Sequence, residues 1–491
     1  MKVVVAYLRE RGIRLIIYLD DILIMCHSLI EAQQHRDLVI RLLESLGFIV
    51  NLEKSVLDPS QIMEYLGMVV NSINMSLSLP ELKVSHITTL CQEVLSKPKV
   101  SLREISSLLG NLSWAIPSIP FAQMHYRDIQ NCHIRQLHWA NKNFQKEIVL
   151  SEDARKDLSW WILNLKSVNG KCFFSDAPEL EIYSDASLSG WGAFCDGVRT
   201  GGPWTKADKG KHINELEVMA AFFALKSFAS LSRKIAIRIF IDNTTAICYI
   251  NKGGGTRSSN LTMMANQINK WCESKSISLE AVYLPGKLNV IADEESRALG
   301  DSSDWQLCPA ILRKISKIWK SDTDLFASSW NKQLDRFVSW QPQPDAWAVN
   351  AFALNWSEVE GYAFPPFALI PRCLSKIRAE KAEIILICPL WPGQTWFPSL
   401  LKMACDLPRI IHCHFKTLFS AQGFSHPLSN QLILVAWRLS GQASRSRDFR
   451  LKWSNYSWQE IVPPRLLHMR QRGAIGRVGT FEEVMIPCIM I

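Results

Sequence analysis

The hydrophobic pattern of this chain changes period several times, and each change predicts a different element. Leu15-Ile16-Ile17 and Ile22-Leu23-Ile24 are short apolar runs on either side of Tyr18-Leu19-Asp20-Asp21, which predicts two strands joined by an acidic hairpin tip. A helical stretch runs from Glu31 to Ser45, stops at Gly47, and gives way to Phe48-Ile49-Val50, which reads as a short strand. After Leu66-Gly67 a β-like stretch continues to Leu79 and meets a boundary at Pro80. Ser101-Leu102-Arg103-Glu104 has the form of a capping box, opening a helix that places Leu102, Ile105, Leu108, Leu109 and Leu112 on one face. Residues 118–171 read as a largely helical connector carrying His138, Trp139, Trp160 and Trp161.

From Glu181 the period becomes two. Ile182-Tyr183-Ser184-Asp185 is one predicted strand, and Gly190-Trp191-Gly192-Ala193-Phe194 is a second, entered through glycine. A helical run over 213–230 follows, then Ile235, Ile237, Ile239 and Ile241 alternate in a strand that ends at Asp242. Residues 277–284 form another predicted strand, turning at Pro285-Gly286 into a helix that contains Asp293. Strands and helices mixed in this way predict α/β structure around a sheet. Gly253-Gly254-Gly255 lacks the lysine arrangement of a P-loop and reads as a flexible loop.

Length and composition sharpen this outline. A chain of 491 residues with 48% apolar content divides into about three or four domains, each able to bury a core. The net charge of +9, from 55 basic and 46 acidic residues, suits a polyanionic partner. Some of the eighteen tryptophans are available to stack on bases, with core and interface roles for most. Thirteen cysteines without a Cys-x-x-Cys pair argue against a disulfide framework or a zinc ribbon and point to a reducing compartment. His412-Cys413-His414 after Cys405 fits no standard zinc spacing. Residues 1–12 lack a signal-peptide core, and Asp20 and Asp21 interrupt the longest early apolar run. The expectation is a soluble intracellular protein, cytoplasmic or nuclear, with no membrane partner and an open oligomeric state.

The acids carry the candidate chemistry. Burying Asp20 and Asp21 unpaired at a hairpin tip would be costly, so a divalent ion is a natural partner, with an ordinary acidic turn as the plain alternative. Farther on, Asp185 lies on the first strand of the α/β region, Glu217 in the first turn of its first helix, Asp242 at the end of a strand and Asp293 in the last helix. Carboxylates drawn from several rigid elements are what two divalent ions about 4 Å apart require for phosphodiester hydrolysis. Each acid also has a plain role. Glu217 has capping-box spacing from Asn214, Asp242-Asn243 has the form of a helix cap, Asp185 could start a turn, and Asp293 could be solvated.

The Tyr18-Leu19-Asp20-Asp21 hairpin, the helix ending in Gly47-Phe48, Lys54 on a short strand and the Leu66-Gly67 turn occur in an order that resembles the end of a reverse transcriptase palm. The resemblance implies that Asp20 and Asp21 are catalytic metal ligands. It also places Tyr18 and Lys54 by the incoming nucleotide and Leu66 and Gly67 at the primer, with the Leu102-Arg103-Glu104 helix in the thumb. Such a polymerase needs a further aspartate from an earlier palm strand together with fingers. Only seventeen residues precede Tyr18, so no DNA synthesis is expected from this chain alone.

Four further sequence words are Tyr183-Ser184-Asp185-Ala186-Ser187 with Gly190-Trp191-Gly192-Ala193, Ile213-Asn214-Glu215-Leu216-Glu217, Ile241-Asp242-Asn243-Thr244-Thr245-Ala246, and Asn289-Val290-Ile291-Ala292-Asp293 with Ser296-Arg297. In this order they resemble the ribonuclease H domain of retroelements, and residues 251–259 resemble the DIRS-type form. The resemblance implies Asp185, Glu217, Asp242 and Asp293 as catalytic ligands of Mg²⁺ or Mn²⁺, with Glu217 rather than Glu215 as the second acid. It implies an RNA–DNA hybrid as substrate, recognised by groove shape and 2′-hydroxyls. The loop Tyr283-Leu284-Pro285-Gly286-Lys287-Leu288 lacks the histidine that many ribonucleases H carry there, which bears on turnover more than on metal binding.

Asp324-Leu325-Phe326-Ala327-Ser328, Asn331, Tyr362-Ala363-Phe364-Pro365-Pro366-Phe367 and Pro389-Leu390-Trp391 resemble the region after ribonuclease H in DIRS-type elements, which is similar to phage-type adenine methyltransferases. Phe364 stands where those enzymes have a hydrogen-bond acceptor, so the resemblance argues against S-adenosylmethionine as a working cofactor. The expected fold is α/β and α+β multidomain: a partial palm over 1–79, a thumb and helical connector over 80–171, a ribonuclease H-like mixed sheet with flanking helices over 172–300, a linker over 301–321, a methyltransferase-like α/β region over 322–441 and a basic tail over 442–491. The expected function is that of a DIRS-type retrotransposon polyprotein fragment with ribonuclease H activity. The alternative is a non-catalytic nucleic-acid-binding remnant.

Overall fold

The computed structural model describes residues 1–173, 177–298, 304–414, 416–429, 431–454, 475–481 and 484–491. They fall into two compact units, Met1–Ala177 with Lys252–Arg257, and Pro178–Asn251 with Ser258–Ile491. The whole is a mixed α/β multidomain chain.

The first unit opens with a helix, Lys2–Glu10, a hairpin of strands Arg14–Tyr18 and Asp21–Met25, and a helix, Leu29–Ser45. Val5, Leu8, Ile13, Leu15, Val39 and Leu43 form the core they share. The second helix starts where it does because the Ser28 hydroxyl accepts the Glu31 N–H at 3.2 Å, satisfying a donor that has no partner within the helix. Phe48-Ile49-Val50 is not a strand: the hairpin forms a sheet of two strands only, so this segment finds no ladder, and Ile49 is 98% exposed. Lys54 accordingly lies on a 3₁₀ turn, Leu52–Lys54, capped by the Asn51 side chain at 3.2 Å, and not on a strand.

A four-stranded sheet follows, ordered Ile62–Tyr65, Met68–Asn71, Ser76–Ser78 and Lys171–Cys172. Leu66 and Gly67 form its first two-residue turn, with φ of 52° and 78°, the pairing that a twisted hairpin favours. Four helices, Glu81–Ser96, Leu102–Ala115, Met124–Trp139 and Glu152–Asn164, bury Ile87, Ile105, Leu108, Leu112, Ile129 and Trp161 in one core. The expected capping box is present: Ser101 Oγ accepts the Glu104 N–H at 3.2 Å, and Glu104 accepts the Ser101 N–H at 2.9 Å. Such a cap contributes about 1 kcal/mol.

The second unit begins with a five-stranded sheet ordered Val198–Pro203, Gly190–Cys195, Leu180–Ala186, Ala236–Ile241 and Ser278–Tyr283. The first three strands are antiparallel, and the last two run parallel to Leu180–Ala186. Helices Ile213–Phe228, Thr244–Asn251, Ser259–Lys275 and Val290–Arg297 accompany it.

Beyond it lies a nine-stranded sheet ordered Ala348–Val349, Arg336–Ser339, Thr323–Asp324, Gly361–Ala363, Glu383–Pro389, Ile433–Ser440, Arg409–His412, Val484–Met490 and Ile475–Phe481. Its first five strands are parallel, and Ile433–Ser440 is antiparallel to both of its neighbours. Asp324 is buried at the end of its strand, where it accepts the Gln333 N–H at 3.0 Å, and desolvation pushes its carboxyl up to about 7. Phe364 is half-buried against the apolar core and an edge-on Phe367.

Two segments expected outside this domain belong to it. Within the stretch expected as a linker, Gln306–Leu307 pairs with Leu418–Phe419, and Leu312, Ile315 and Trp319 are buried. Trp319 makes this possible by donating its indole N–H to Asp406 at 2.8 Å. Nor do the described residues of 442–491 form a separate basic tail. Helix Ala443–Ser454 sets Arg445 against Glu383 at 3.2 Å, and the two final strands carry buried Val478, Ile486 and Cys488 into the core. The expected boundary at residues 300–301, and Arg465, Arg470 and Arg472 of the expected tail, lie outside the described residues.

Candidate active site

Two glycines explain how the last helix reaches the acids. Gly192 pairs with Asp185 across the sheet, and a side chain at 192 would collide with the Ala292 carbonyl oxygen and the Ser296 nitrogen. Its absence lets Val290–Arg297 settle onto the strand backbone. Gly190 is equally confined, facing the Gly202 and Ser296 carbonyl oxygens. The packed helix brings Ser296 Oγ to Asp185 Oδ2 at 2.7 Å. Buried Asn289 ties the start of the same helix to the strand, donating to the Ser184 carbonyl at 2.9 Å.

Glu217 comes from the helix Ile213–Phe228, on a stretch whose Leu216, Ala220, Ala221 and Ala224 are buried. His212 is the cap of this helix, its Nδ1 accepting the Asn214 N–H at 3.1 Å. The Asn214–Glu217 capping pair is therefore not formed, and Glu217 sits beyond the first turn, where it points into the protein. Glu215 turns instead to Asn260 at 3.0 Å. Asp242 follows directly on the strand Ala236–Ile241, and its neighbour Asn243 takes the cap role, accepting the Ala246 N–H at 2.9 Å.

Ligand oxygens of Asp185, Glu217 and Asp242 lie within 4.8 Å of one another. Asp293 stands beside this trio, its Oδ1 accepting from Arg297 Nε at 2.8 Å, and its charge is felt at Asp185 and Asp242. Burial, followed by repulsion from Asp185 and Asp242, pushes the Glu217 carboxyl up to about 9. Asp185 is raised by burial and by its acidic neighbours against the opposing Ser296 hydrogen bond, and Asp242 is raised by burial and Asp293. Two like charges at 4 Å repel by about 4 kcal/mol at an effective dielectric of 20, so the trio can be fully ionised together only with a cation among them. The donor set fits a hard divalent ion: all ligands are carboxylate oxygens, and buried Glu217 Oε2 has no hydrogen-bond partner.

The hairpin acids are placed differently. Asp20 and Asp21 are exposed, and Tyr18 is 58% exposed, so no burial cost requires an ion there and the desolvation argument for a metal does not apply. Tyr65 donates to the Asp21 carbonyl at 3.4 Å. Lys54 is exposed. The Leu66-Gly67 turn lies against Trp114, whose ring would be 3.1 Å from a side chain at Gly67. Ser296 and Asn289 are the contributors whose contacts sequence reasoning did not anticipate. The spacing of three between Asp293 and Ser296 puts both on one helical face, which was a usable signal.

Residues 1–70 match the family model of reverse transcriptase, the RNA-dependent DNA polymerase. A foamy viral protease-reverse transcriptase in complex with RNA/DNA hybrid is similar at 15% identity and a TM-score of 0.31, over 57% of this chain and 37% of that one. The same protein in complex with double-stranded DNA is similar at 16% identity and a TM-score of 0.31, over 57% of this chain and 56% of that one. Ribonuclease H1 from the archaeon Halobacterium salinarum is similar at 19% identity and a TM-score of 0.22, over 25% of this chain and 98% of its own. The chain thus spans about a third to just over half of the foamy viral structures. Comparison with curated protein sequences gives no match. Among the described residues, no helix is long and apolar enough to cross a membrane.

Proposed function

We propose that the five-stranded domain is a ribonuclease H that hydrolyses the RNA strand of RNA–DNA hybrids with Mg²⁺ or Mn²⁺, within a retroelement polyprotein fragment of DIRS type. The observation that carries this reading is the convergence of Asp185, Glu217 and Asp242 around the unpartnered Glu217 Oε2. Divalent ions bound there would supply an activated water and stabilise the leaving oxygen. Asp185, Glu217 and Asp242 would hold them, with Glu217, raised to about 9, giving up its proton on binding. The 2.7 Å hydrogen bond from Ser296 orients Asp185 and favours its anionic form, and Asp293 would serve as a fourth ligand. The 2′-hydroxyls and groove of the hybrid distinguish its RNA strand.

The test is cleavage of a labelled hybrid by the full chain in Mg²⁺ or Mn²⁺. Asp185→Asn or Asp242→Asn should each lower the rate by about a hundredfold or more, with no loss of folded structure. Cleavage that survives both changes, or excess EDTA, overturns the assignment to these acids, whereas no cleavage by the unmodified chain leaves the non-catalytic nucleic-acid-binding reading in its place. Methyl transfer is no part of this function, since Phe364 offers no hydrogen-bond acceptor. Labelled-methyl transfer from S-adenosylmethionine to DNA by the unmodified chain would contradict that.

A further inference from the structure

A second cluster of ligand-type side chains lies in the first unit, at the foot of the Asp20-Asp21 hairpin. Cys26 directly follows the strand Asp21–Met25, and Glu31 and His35 stand four residues apart on the helix Leu29–Ser45, a spacing that puts them on one face. Their Sγ, carboxylate oxygen and imidazole nitrogen all lie within 4.8 Å of one another, and all three residues are half-buried. Cys26 Sγ and His35 Nδ1 are 3.3 Å apart. Zinc bonds of about 2.3 Å to sulfur and 2.0–2.2 Å to nitrogen and oxygen give a tetrahedron with edges of about 3.5 Å, so this pair already spans one edge. Glu31 is held in place from behind, its Oε2 accepting the His27 N–H at 2.9 Å, the kind of outer support that orients metal ligands.

We propose that Cys26, Glu31 and His35 form a transition-metal site, taking zinc with one solvent molecule as the fourth ligand, and that it fastens the hairpin to the helix behind it. The mixed sulfur, nitrogen and oxygen donors select a borderline ion, whereas the all-oxygen set at Asp185, Glu217 and Asp242 suits Mg²⁺ or Mn²⁺. On binding, the Cys26 S–H bond breaks, its proton leaves to solvent, and a sulfur–metal bond replaces it. In the bare protein the thiol is held in its neutral form by burial and by Glu31, against the nearby Arg14. This proposal does not depend on the ribonuclease reading.

Co²⁺ is the probe, titrated into the full chain with excess Mg²⁺ present. The expected result is a thiolate-to-cobalt charge-transfer band that is absent from Cys26→Ser and is displaced by Zn²⁺. Glu31→Gln retains an oxygen for the His27 N–H, so the helix start survives, yet affinity should fall by about tenfold or more with an unchanged far-ultraviolet circular dichroism spectrum. The proposal is overturned by the absence of the band from the unmodified chain, by a band of equal strength in Cys26→Ser, or by unchanged affinity in Glu31→Gln.

Discussion

Ser296 donates its hydroxyl hydrogen to Asp185 Oδ2 at 2.7 Å while also reaching the Asp293 carbonyl at 2.9 Å. One side chain thereby fixes an acid on the sheet to the helix that carries another. The bond lowers the Asp185 pKa against the burial that raises it. Ser296→Ala should weaken Mg²⁺ binding by about tenfold, read as a shift in the metal-concentration midpoint of hybrid cleavage. An unchanged midpoint would show that Asp185 needs no such support.

Glu217 predicts a pH dependence of stability. Its carboxyl is raised from 4.5 to about 9 in the fold, so the native state keeps a proton that the unfolded chain has already released. The resulting stability is fully present below about pH 4.5 and is lost as pH rises toward about 9. In EDTA, Tm should fall across this window in the unmodified chain and fall less in Glu217→Gln. Saturating Mg²⁺ should flatten the slope, because the ion takes the place of the proton.

Gly192→Ala tests the approach of the last helix. The new methyl would meet the Ala292 carbonyl oxygen and the Ser296 nitrogen, both backbone atoms of the helix Val290–Arg297. Overpacking of this kind costs about 1–3 kcal/mol, and the displaced helix would carry Ser296 and Asp293 away from the trio. Both Tm and cleavage should drop. A variant that keeps full cleavage would separate the helix position from the chemistry.

Primer extension is expected to be absent from this chain alone. Among the described residues, no third ligand joins Asp20 and Asp21 in a metal-sized cluster. Incorporation of labelled nucleotide that Asp20→Ala abolishes would refute this expectation.

Much of the acidic site was legible because its parts are local: an acid where a strand ends, an acid within an apolar helix, glycines opposite the first strand. Asp185, Glu217 and Asp242 could therefore be noticed as candidates from their own neighbourhoods, while the resemblance of the surrounding words to ribonuclease H is what set them above their plain roles. The contacts of Ser296 and Asn289 arise from helix-to-sheet packing, over sequence separations of 111 and 105 residues, and no local period reports them. Phe48-Ile49-Val50 failed for a related reason, since strand propensity yields a strand only where a ladder partner exists. Gln306–Leu307 is too short to show a period, and Gly479 and Pro487 interrupt the pattern of the last two strands. Their distant partners, Leu418–Phe419 and Arg409–His412, make strands of Gln306–Leu307 and Val484–Met490.

The strand Val484–Met490 has a consequence for aggregation. It pairs in parallel with Arg409–His412, with the Ile489 N–H reaching the Pro408 carbonyl at 3.0 Å. A chain cut after Gly441 would present Arg409–His412 as a bare sheet edge with apolar Ile410 and Ile411 and unpaired backbone groups, a template for joining other chains. Such a truncation should self-associate on purification, by light scattering, while the intact chain does not. The last strands act as a lid on a sticky edge, and a nascent chain stays exposed to misassembly until they emerge.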